Sequence, residues 1–457
     1  MGKIDLRATR RLFRLSLGVV QLLLCLFIIA LLLISVVAAV RADEIPGHSR
    51  LFLESESKMR SSVGRFEKRV RKMEKESFAL LADGQLESIL IPVSDEDVLF
   101  HKTSFKSGKR TSTWIGQDSN GEKSILLTLG DDHLFARVTT PQGTFLYKPD
   151  TEPFTAVSYE ENKEYEIPLV DDAVPVPALS SPSVSEPSAA ADDGSRIDMM
   201  VAYTNGIAAV YPGSQIDTRI QYFIDVANLS FHNSSINTRF NLVHSQEYAY
   251  TDDSPGDMNE ALESFTDNIG IFAGVETVRK RYGADQVTLL RHFVDEGCGL
   301  AWVVTEDNAD YAYAVVHDGV RSDGYYCSEY TYVHEVGHNL GCAHDRSNAS
   351  VSGRFDYSYG FQNPGQEFRT VMAYSCDGGN CPRIAYFSNP DILYNGKPTG
   401  VVSTDPLAAD NALTITQTRV GMAGYMAEVD APSPVVNPPP LSSIMPLPAI
   451  KMILDSP

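Results

Sequence analysis

His334-Glu335-Val336-Gly337-His338-Asn339-Leu340-Gly341-Cys342-Ala343-His344-Asp345 is the stretch on which the reading of this chain turns. On a helix, residues four apart are separated by about 400°, so the imidazoles of His334 and His338 project one above the other from a single face and can share an ion. Glu335 lies beside them. Gly341 can take the left-handed conformation that ends a helix, which turns the chain and returns His344 as a third ligand. Three neutral imidazoles leave one position of a tetrahedral zinc open for water, the arrangement of a catalytic site. The ion would acidify that water and Glu335 would take its proton, so one catalytic Zn2+ is the expected cofactor. Val333, Val336 and Leu340 supply the apolar face of the helix, which leaves the ligands free of any packing duty.

Around this segment strands and helices alternate. Ile197 to Tyr203 reads as a buried strand, and Ile216, Ile220, Phe223, Ile224 and Ala227 recur at helical spacing over Ile216 to Leu229. Strands are expected at Asn237 to Glu247, Gln286 to Phe293, Gly299 to Val304 and Ala312 to His317, with helices at Ala273 to Tyr282 and Asn411 to Met426. The result is an α/β (α+β) domain over 196–428, with a mixed, mostly parallel sheet and an active-site helix. Before it, residues 174–195 hold four prolines and six serines and read as a linker open to proteolysis. Residues 43–173 begin with a charged stretch, Met59 to Glu76, expected to be helical. Four short strands follow, Thr111 to Ile115, Ser124 to Leu129, His133 to Thr139 and Thr144 to Lys148. Turn sequences such as Asn120-Gly121 and Pro141-Gln142-Gly143 separate them, which predicts an antiparallel β domain. Residues 429–457 form a proline-rich tail.

The chain of 457 residues starts with five basic residues (Lys3, Arg7, Arg10, Arg11, Arg14) ahead of an uncharged run from Leu15 to Val40. That run is an export signal or a membrane anchor, residues 15–40 being long enough to span a bilayer. The small residues of Val37-Ala38-Ala39 and Val40-Arg41-Ala42 favour cleavage, which makes 1–42 the leader. Either way the rest of the chain is placed outside the cytoplasm: secreted, periplasmic or tethered. All cysteines but Cys25 fall between Cys298 and Cys381, five thiols in an exported region, where disulfides are expected. Cys376 and Cys381 are the local candidate pair, because Gly378-Gly379 lets the chain turn back; the other pairings stay open. A formal net charge of −21 repels a phosphate backbone, so nucleic acid is excluded as a partner.

His-Glu-x-x-His-x-x-Gly-x-x-His, with Arg369-Thr370-Val371-Met372-Ala373-Tyr374 downstream, resembles the signature and methionine turn of the metzincin metallopeptidases. Asp345 after the third histidine resembles the reprolysin (adamalysin) branch. Cys298-Gly-Leu-Ala301, Tyr282-Gly-Ala-Asp285 and Phe387-Ser-Asn-Pro390 resemble the bacterial group that includes peptidyl-Asp metalloendopeptidases. The resemblance implies that His334, His338 and His344 bind zinc, that Glu335 is the general base, and that Met372 forms an apolar floor under the metal. It also implies that Gly299 to Val304 is the edge strand that pairs with extended protein or peptide substrates. The chain after Met372, notably Arg383 to Pro390, would wall the pocket for the side chain following the scissile bond. Cleavage before Asp would need a cation there, which Arg383 or Arg369 could supply. Tyr374 departs from the reprolysin pattern: core packing is its favoured role, and stabilising an oxyanion is the alternative. Cys342 is expected in a disulfide or in the core.

The β domain, notably Thr113-Trp114-Ile115-Gly116, resembles a propeptide. Asp43 to Gly297 contains no cysteine, so a thiolate from that region cannot block the zinc; steric or carboxylate-mediated latency is expected instead. The sequence thus reads as an exported zinc endopeptidase made as a zymogen. A non-catalytic surface binding protein on the same scaffold and a zinc amidase acting on cell-wall material are the rival readings.

Overall fold

The computed structural model describes residues 48–53, 58–60, 68–161, 165–167, 171–177, 193–250, 257–292, 297–321, 324–376 and 381–429. The apolar run 15–40, its cleavage-site candidates, most of the linker and the tail lie outside them. Among the described residues, no helix is long and apolar enough to cross a membrane. The chain divides into two units. The first holds Lys68–Leu127, Ala136–Glu160 and the residues up to Arg60; the second holds everything from Glu161 onward, with Thr128–Phe135.

The first unit is a β meander. Successive strands Ser88–Val93, Glu96–Ser107, Ser112–Gln117, Ser124–Leu129, Leu134–Thr139, Thr144–Pro149 and Thr155–Glu160 are neighbours in one sheet. Its inward side chains include Phe100, Trp114, Leu126 and Tyr147, all buried. The charged stretch expected to be a helix is instead strand at Lys58–Arg60 and Lys68–Lys72, the second pairing antiparallel with Thr155–Ser158. Lys68-Arg-Val-Arg-Lys72 places no apolar residues at helical spacing, so the sheet edge claims it. The helix begins later, at Lys75–Ala82, where the Glu74 carboxylate accepts from the backbone N–H groups of Glu76 and Ser77 and Phe78 and Leu81 are buried.

The second unit carries a six-stranded sheet in the order Ala173–Pro175, Gly299–Val303, Tyr313–Asp318, Gln286–His292, Ile197–Thr204, Phe240–Tyr248. Every neighbouring pair is parallel except Gly299–Val303 with Tyr313–Asp318. Ile197–Thr204 and Gln286–His292 are almost continuously buried, the first of them mostly apolar, as strands covered on both faces are. One face is packed by Leu262, Phe265 and Phe272 against Met200, Leu289 and Val315. Helix Gln215–Asn233 packs against helix Thr331–Asn339, where the Phe223 and Tyr332 rings stack with their centroids 5.8 Å apart.

Three unforeseen residues fix that helix pair. The buried Arg219 guanidinium donates to both oxygens of Asp318 at 2.8 Å and to Glu329 at 2.9 Å. Glu329 also accepts from the Tyr222 hydroxyl at 2.5 Å. One cation therefore ties a helix, a strand end and the approach to the active-site helix, and its charge is matched by two carboxylates, the condition under which buried ions persist.

Ala173–Pro175 pairs with Ala301–Val303 in parallel. The head of the expected linker is thus sheet, and the first unit ends at Glu160.

Candidate active site

Helix Thr331–Asn339 is held at its C-terminal end by Asn339. Its side-chain amide donates to the carbonyls of Trp302 at 2.9 Å and Tyr313 at 3.0 Å, while its oxygen accepts from Gln286. The helix stops as the motif requires. Gly341 has φ +86°, the Gly341 N–H donates to His338 O and the Cys342 N–H to Gly337 O. The chain then reverses into Ala343–Asp345 and delivers His344 to the two helical histidines.

The three imidazoles converge, with ring centroids 4.7 to 5.3 Å apart. His334 Nδ1 donates to Val371 O at 2.9 Å and His338 Nδ1 to Cys342 O at 2.8 Å, which turns the lone pairs of both Nε2 atoms toward the common centre. Burial drives His334 down to about 3 and lowers His338, so both rings are neutral, the form that ligates. Facing them is a residue the sequence reading did not single out. Asp172 Oδ1 lies 2.5 Å from His344 Nε2, 3.4 Å from His338 Nε2 and 3.5 Å from His334 Nε2. All four ligand atoms fall within 4.8 Å of one another. Burial pushes the Asp172 carboxyl up, but the imidazoles around it outweigh that and hold it well below its usual range, hence ionised. Three imidazole Nε2 atoms within 3.5 Å of one carboxylate oxygen need a shared proton or a metal cation between them. The donor set of three imidazoles and one carboxylate oxygen suits tetrahedral zinc.

Glu335, fully buried, accepts no hydrogen bond from a described side chain or backbone group. Burial and then the Asp172 charge raise its proton affinity, and the Arg383 guanidinium opposes them. Its carboxylate lies against Gly299, whose strand, expected at the sheet edge, is instead second in the sheet because Ala173–Pro175 covers it; a Cβ built at Gly299 would fall 2.2 Å from Oε1. Met372 packs against the helix at Gly337. Its sulfur lies where a side chain on Gly337 would go, 2.5 Å from a Cβ built there, and Met372 is completely buried. Asp345 does not reach the centre. Its carboxylate accepts from the Tyr374 N–H at 3.0 Å and from Ser347 and Asn348, fastening the third histidine's turn to the methionine turn.

Tyr374 stands at the site rather than in the core. Its ring lies 4.2 Å from the His344 ring and its hydroxyl donates to Asp172 Oδ1 at 3.4 Å. Cys376 and Cys381 are bonded to each other, Cys298 is bonded to Cys327, and Cys342 is a buried free thiol.

Residues 193–388 match the family model Reprolysin_5, metallo-peptidase family M12, a match that, with the histidine triad and methionine turn inside that stretch, supports a metzincin-like zinc metallopeptidase. Among curated proteins it is similar to a peptidyl-Asp metalloendopeptidase of Xanthomonas campestris pv. campestris, with 30% identity over 243 residues, 53% of this chain and 54% of that protein. The matched stretch therefore spans about half the length of that relative. Proteins of the same name from two strains of Stenotrophomonas maltophilia, R551-3 and K279a, are each 27% identical over 320 residues, 69% of this chain and 73% of theirs.

Proposed function

We propose that this chain is an exported, zinc-dependent endopeptidase made as a zymogen. The observation that carries the reading is the convergence of three buried imidazole Nε2 atoms on one point, with the unpartnered carboxylate of Glu335 next to them. A zinc ion held by His334, His338 and His344 supplies the Lewis acidity that polarises a peptide carbonyl and acidifies water. Gly299–Val303 gives an extended substrate backbone groups to pair with and sets its carbonyl over the histidines. Glu335 takes a proton from the attacking water as the water oxygen bonds to the carbonyl carbon. It then passes that proton to the amide nitrogen as the C–N bond breaks, releasing a carboxylic acid and an amine. The enzyme forms no covalent bond to the substrate. Tyr374, its hydroxyl directed at the same centre, donates a hydrogen bond to the oxyanion.

Latency follows from Asp172. Its carboxylate sits among the imidazoles, while its own carbonyl accepts the Ala301 N–H at 3.0 Å and is turned away from them. The segment therefore offers the site a side chain and no scissile bond. Cleavage within the proline-rich linker frees it. Export is supported by the basic flank and apolar run at the chain start.

Casein and a peptidoglycan preparation digested side by side, with and without chelator, test the reading. Casein fragments that vanish on chelation, and on Glu335→Gln at unchanged zinc content, are the expected result. Turnover that survives Glu335→Gln overturns the assigned base; release from peptidoglycan alone moves the chain to the cell-wall amidases. Function retained with no turnover of either material identifies a binding protein.

A further inference from the structure

The segment that carries Asp172 touches the domain at a second place. Upstream of Asp172, Glu166 forms a parallel bridge with Tyr326, as Ala173–Pro175 pairs in parallel with Ala301–Val303. The Ile167 N–H donates to Tyr326 O and the Tyr326 N–H to Tyr165 O, each at 2.9 Å. On its other side Tyr326 bridges antiparallel with Val320, and the Arg321 N–H donates to Tyr325 O at 2.7 Å, so a hairpin presents its returning arm to the segment. The Cys298–Cys327 disulfide ties that arm to the residue before Gly299. Two side chains of the segment have apolar seats there. The Tyr165 ring meets the Tyr325 ring edge to face, with centroids 5.5 Å apart, and Ile167 packs on the Cys298–Cys327 pair.

We infer that the arm Tyr325 to Cys327 is a second backbone-pairing rim of the substrate groove, away from the reacting bond. It takes an extended peptide with an aromatic side chain on Tyr325 and, two residues on, an aliphatic one over the Cys298–Cys327 disulfide. The inference deepens the endopeptidase reading above and rests on it. Three observations carry it. First, the two rims are continuous. Glu335 lies against Gly299, the preceding Cys298 is bonded to Cys327, and Tyr326 is the neighbour of Cys327, so the second rim begins where strand Gly299–Val303 starts. Second, both rims engage the upstream segment in the same sense, parallel, so one extended chain can lie along the two of them. Third, the N–H and C=O of Tyr326, a residue only 6% exposed, lose these partners when the segment leaves. Backbone groups so enclosed favour a chain that replaces the lost bonds. An extended peptide does this through its main chain, whatever its sequence.

The seats for side chains add a preference to that general affinity. The Arg321 guanidinium, 5.1 Å from the centre of the Tyr325 ring, stacks on it and steadies it for a visiting ring. The disulfide offers a surface without charge or hydrogen-bonding hydrogen, which an aliphatic side chain covers at no desolvation cost of its own.

Binding is measured by fluorescence anisotropy on zinc-loaded Glu335→Gln chain nicked in the linker, so that peptides stay whole. The peptides share one core sequence and are lengthened a residue at a time at either end, first with alanine and serine, then with Tyr-x-Ile in the added part. Extension at one end is expected to lower Kd by about 10-fold once it reaches the rim, the worth of two added main-chain hydrogen bonds, and Tyr-x-Ile lowers it further. The ratio of long to short peptide is read within each variant, so a general loss of affinity cancels. Tyr326→Pro, which has no N–H to donate, reduces that gain, whereas Tyr325→Ala keeps it and loses the preference for Tyr. A Kd that no extension at either end lowers overturns the rim, as does a gain that Tyr326→Pro leaves whole. Equal Kd for Tyr-x-Ile and for alanine and serine overturns the side-chain seats. Turnover of the same peptides by nicked wild-type chain is scored separately: its absence beside a length-dependent Kd counts against the endopeptidase reading and leaves the rim standing.

Discussion

Tyr374 shows how much one hydroxyl's direction decides. Its ring covers His344 and its Oη points at the oxygen that occupies the centre, so the same hydroxyl is placed to stabilise a carbonyl oxygen that replaces Asp172. Removing one such donor usually costs about 10²-fold or more in kcat. Tyr374→Phe is expected to lower kcat by about that factor with KM little changed; steady-state kinetics showing an unaltered kcat would return Tyr374 to a packing role. Gly299 makes the complementary case, a residue needed for what it lacks. Because an added Cβ would collide with Glu335 Oε1, Gly299→Ala pushes the carboxylate off its position. A fall in kcat with unchanged zinc content and circular dichroism is the expected outcome, while an undiminished kcat would show that Glu335 tolerates the displacement.

At the scale of elements, the second unit follows from the hydrophobic period. Strands Ile197–Thr204 and Gln286–His292 and helix Gln215–Asn233 lie within a few residues of where their apolar patterns place them, because both faces of that sheet are buried. The histidine helix, the Gly341 turn and the returning His344 are legible for a different reason: the chemistry constrains local spacing. What sequence did not reveal depends on distant partners. Lys68–Lys72 has no strand pattern without Thr155–Ser158 beside it. Asp172 carries no local signal at all, being one of two adjacent aspartates at the head of a proline-rich stretch, and only pairing with Ala301–Val303 places it among the histidines. The same holds for Arg219, Asp318 and Glu329, far apart in the chain and joined in space. Asp318→Asn strips half the counter-charge from a fully buried guanidinium, and about 3–5 kcal/mol of stability is expected to go with it. A urea titration of the nicked enzyme measures this, and a midpoint unchanged from wild type would mean that Glu329 alone balances Arg219.

For the whole molecule, the proposed zymogen reading makes the consequential division the one between the chain before and after linker cleavage. Uncut, it carries its own carboxylate in the position of the reacting group, and the thiol alternative is absent from Asp43 to Gly297. Asp172→Ala should therefore give uncut protein that hydrolyses casein at a rate approaching that of the nicked wild type, measured before any linker cleavage is visible on a gel. A variant that stays inactive until it is cut would assign latency to bulk coverage of the cleft in place of the carboxylate.

The strand Ala173–Pro175 does one thing more. It is the outermost member of its sheet and covers the rim of Gly299–Val303. Once it departs, a row of unsatisfied backbone donors and acceptors is left bare, and such a rim accepts any extended chain, whether a meal or a sibling molecule. On the proposed reading, cutting the linker would remove a guard against self-association along with the inhibitor. Concentrated mature enzyme should cluster unless a peptide fills the rim, and the precursor is the form suited to storage.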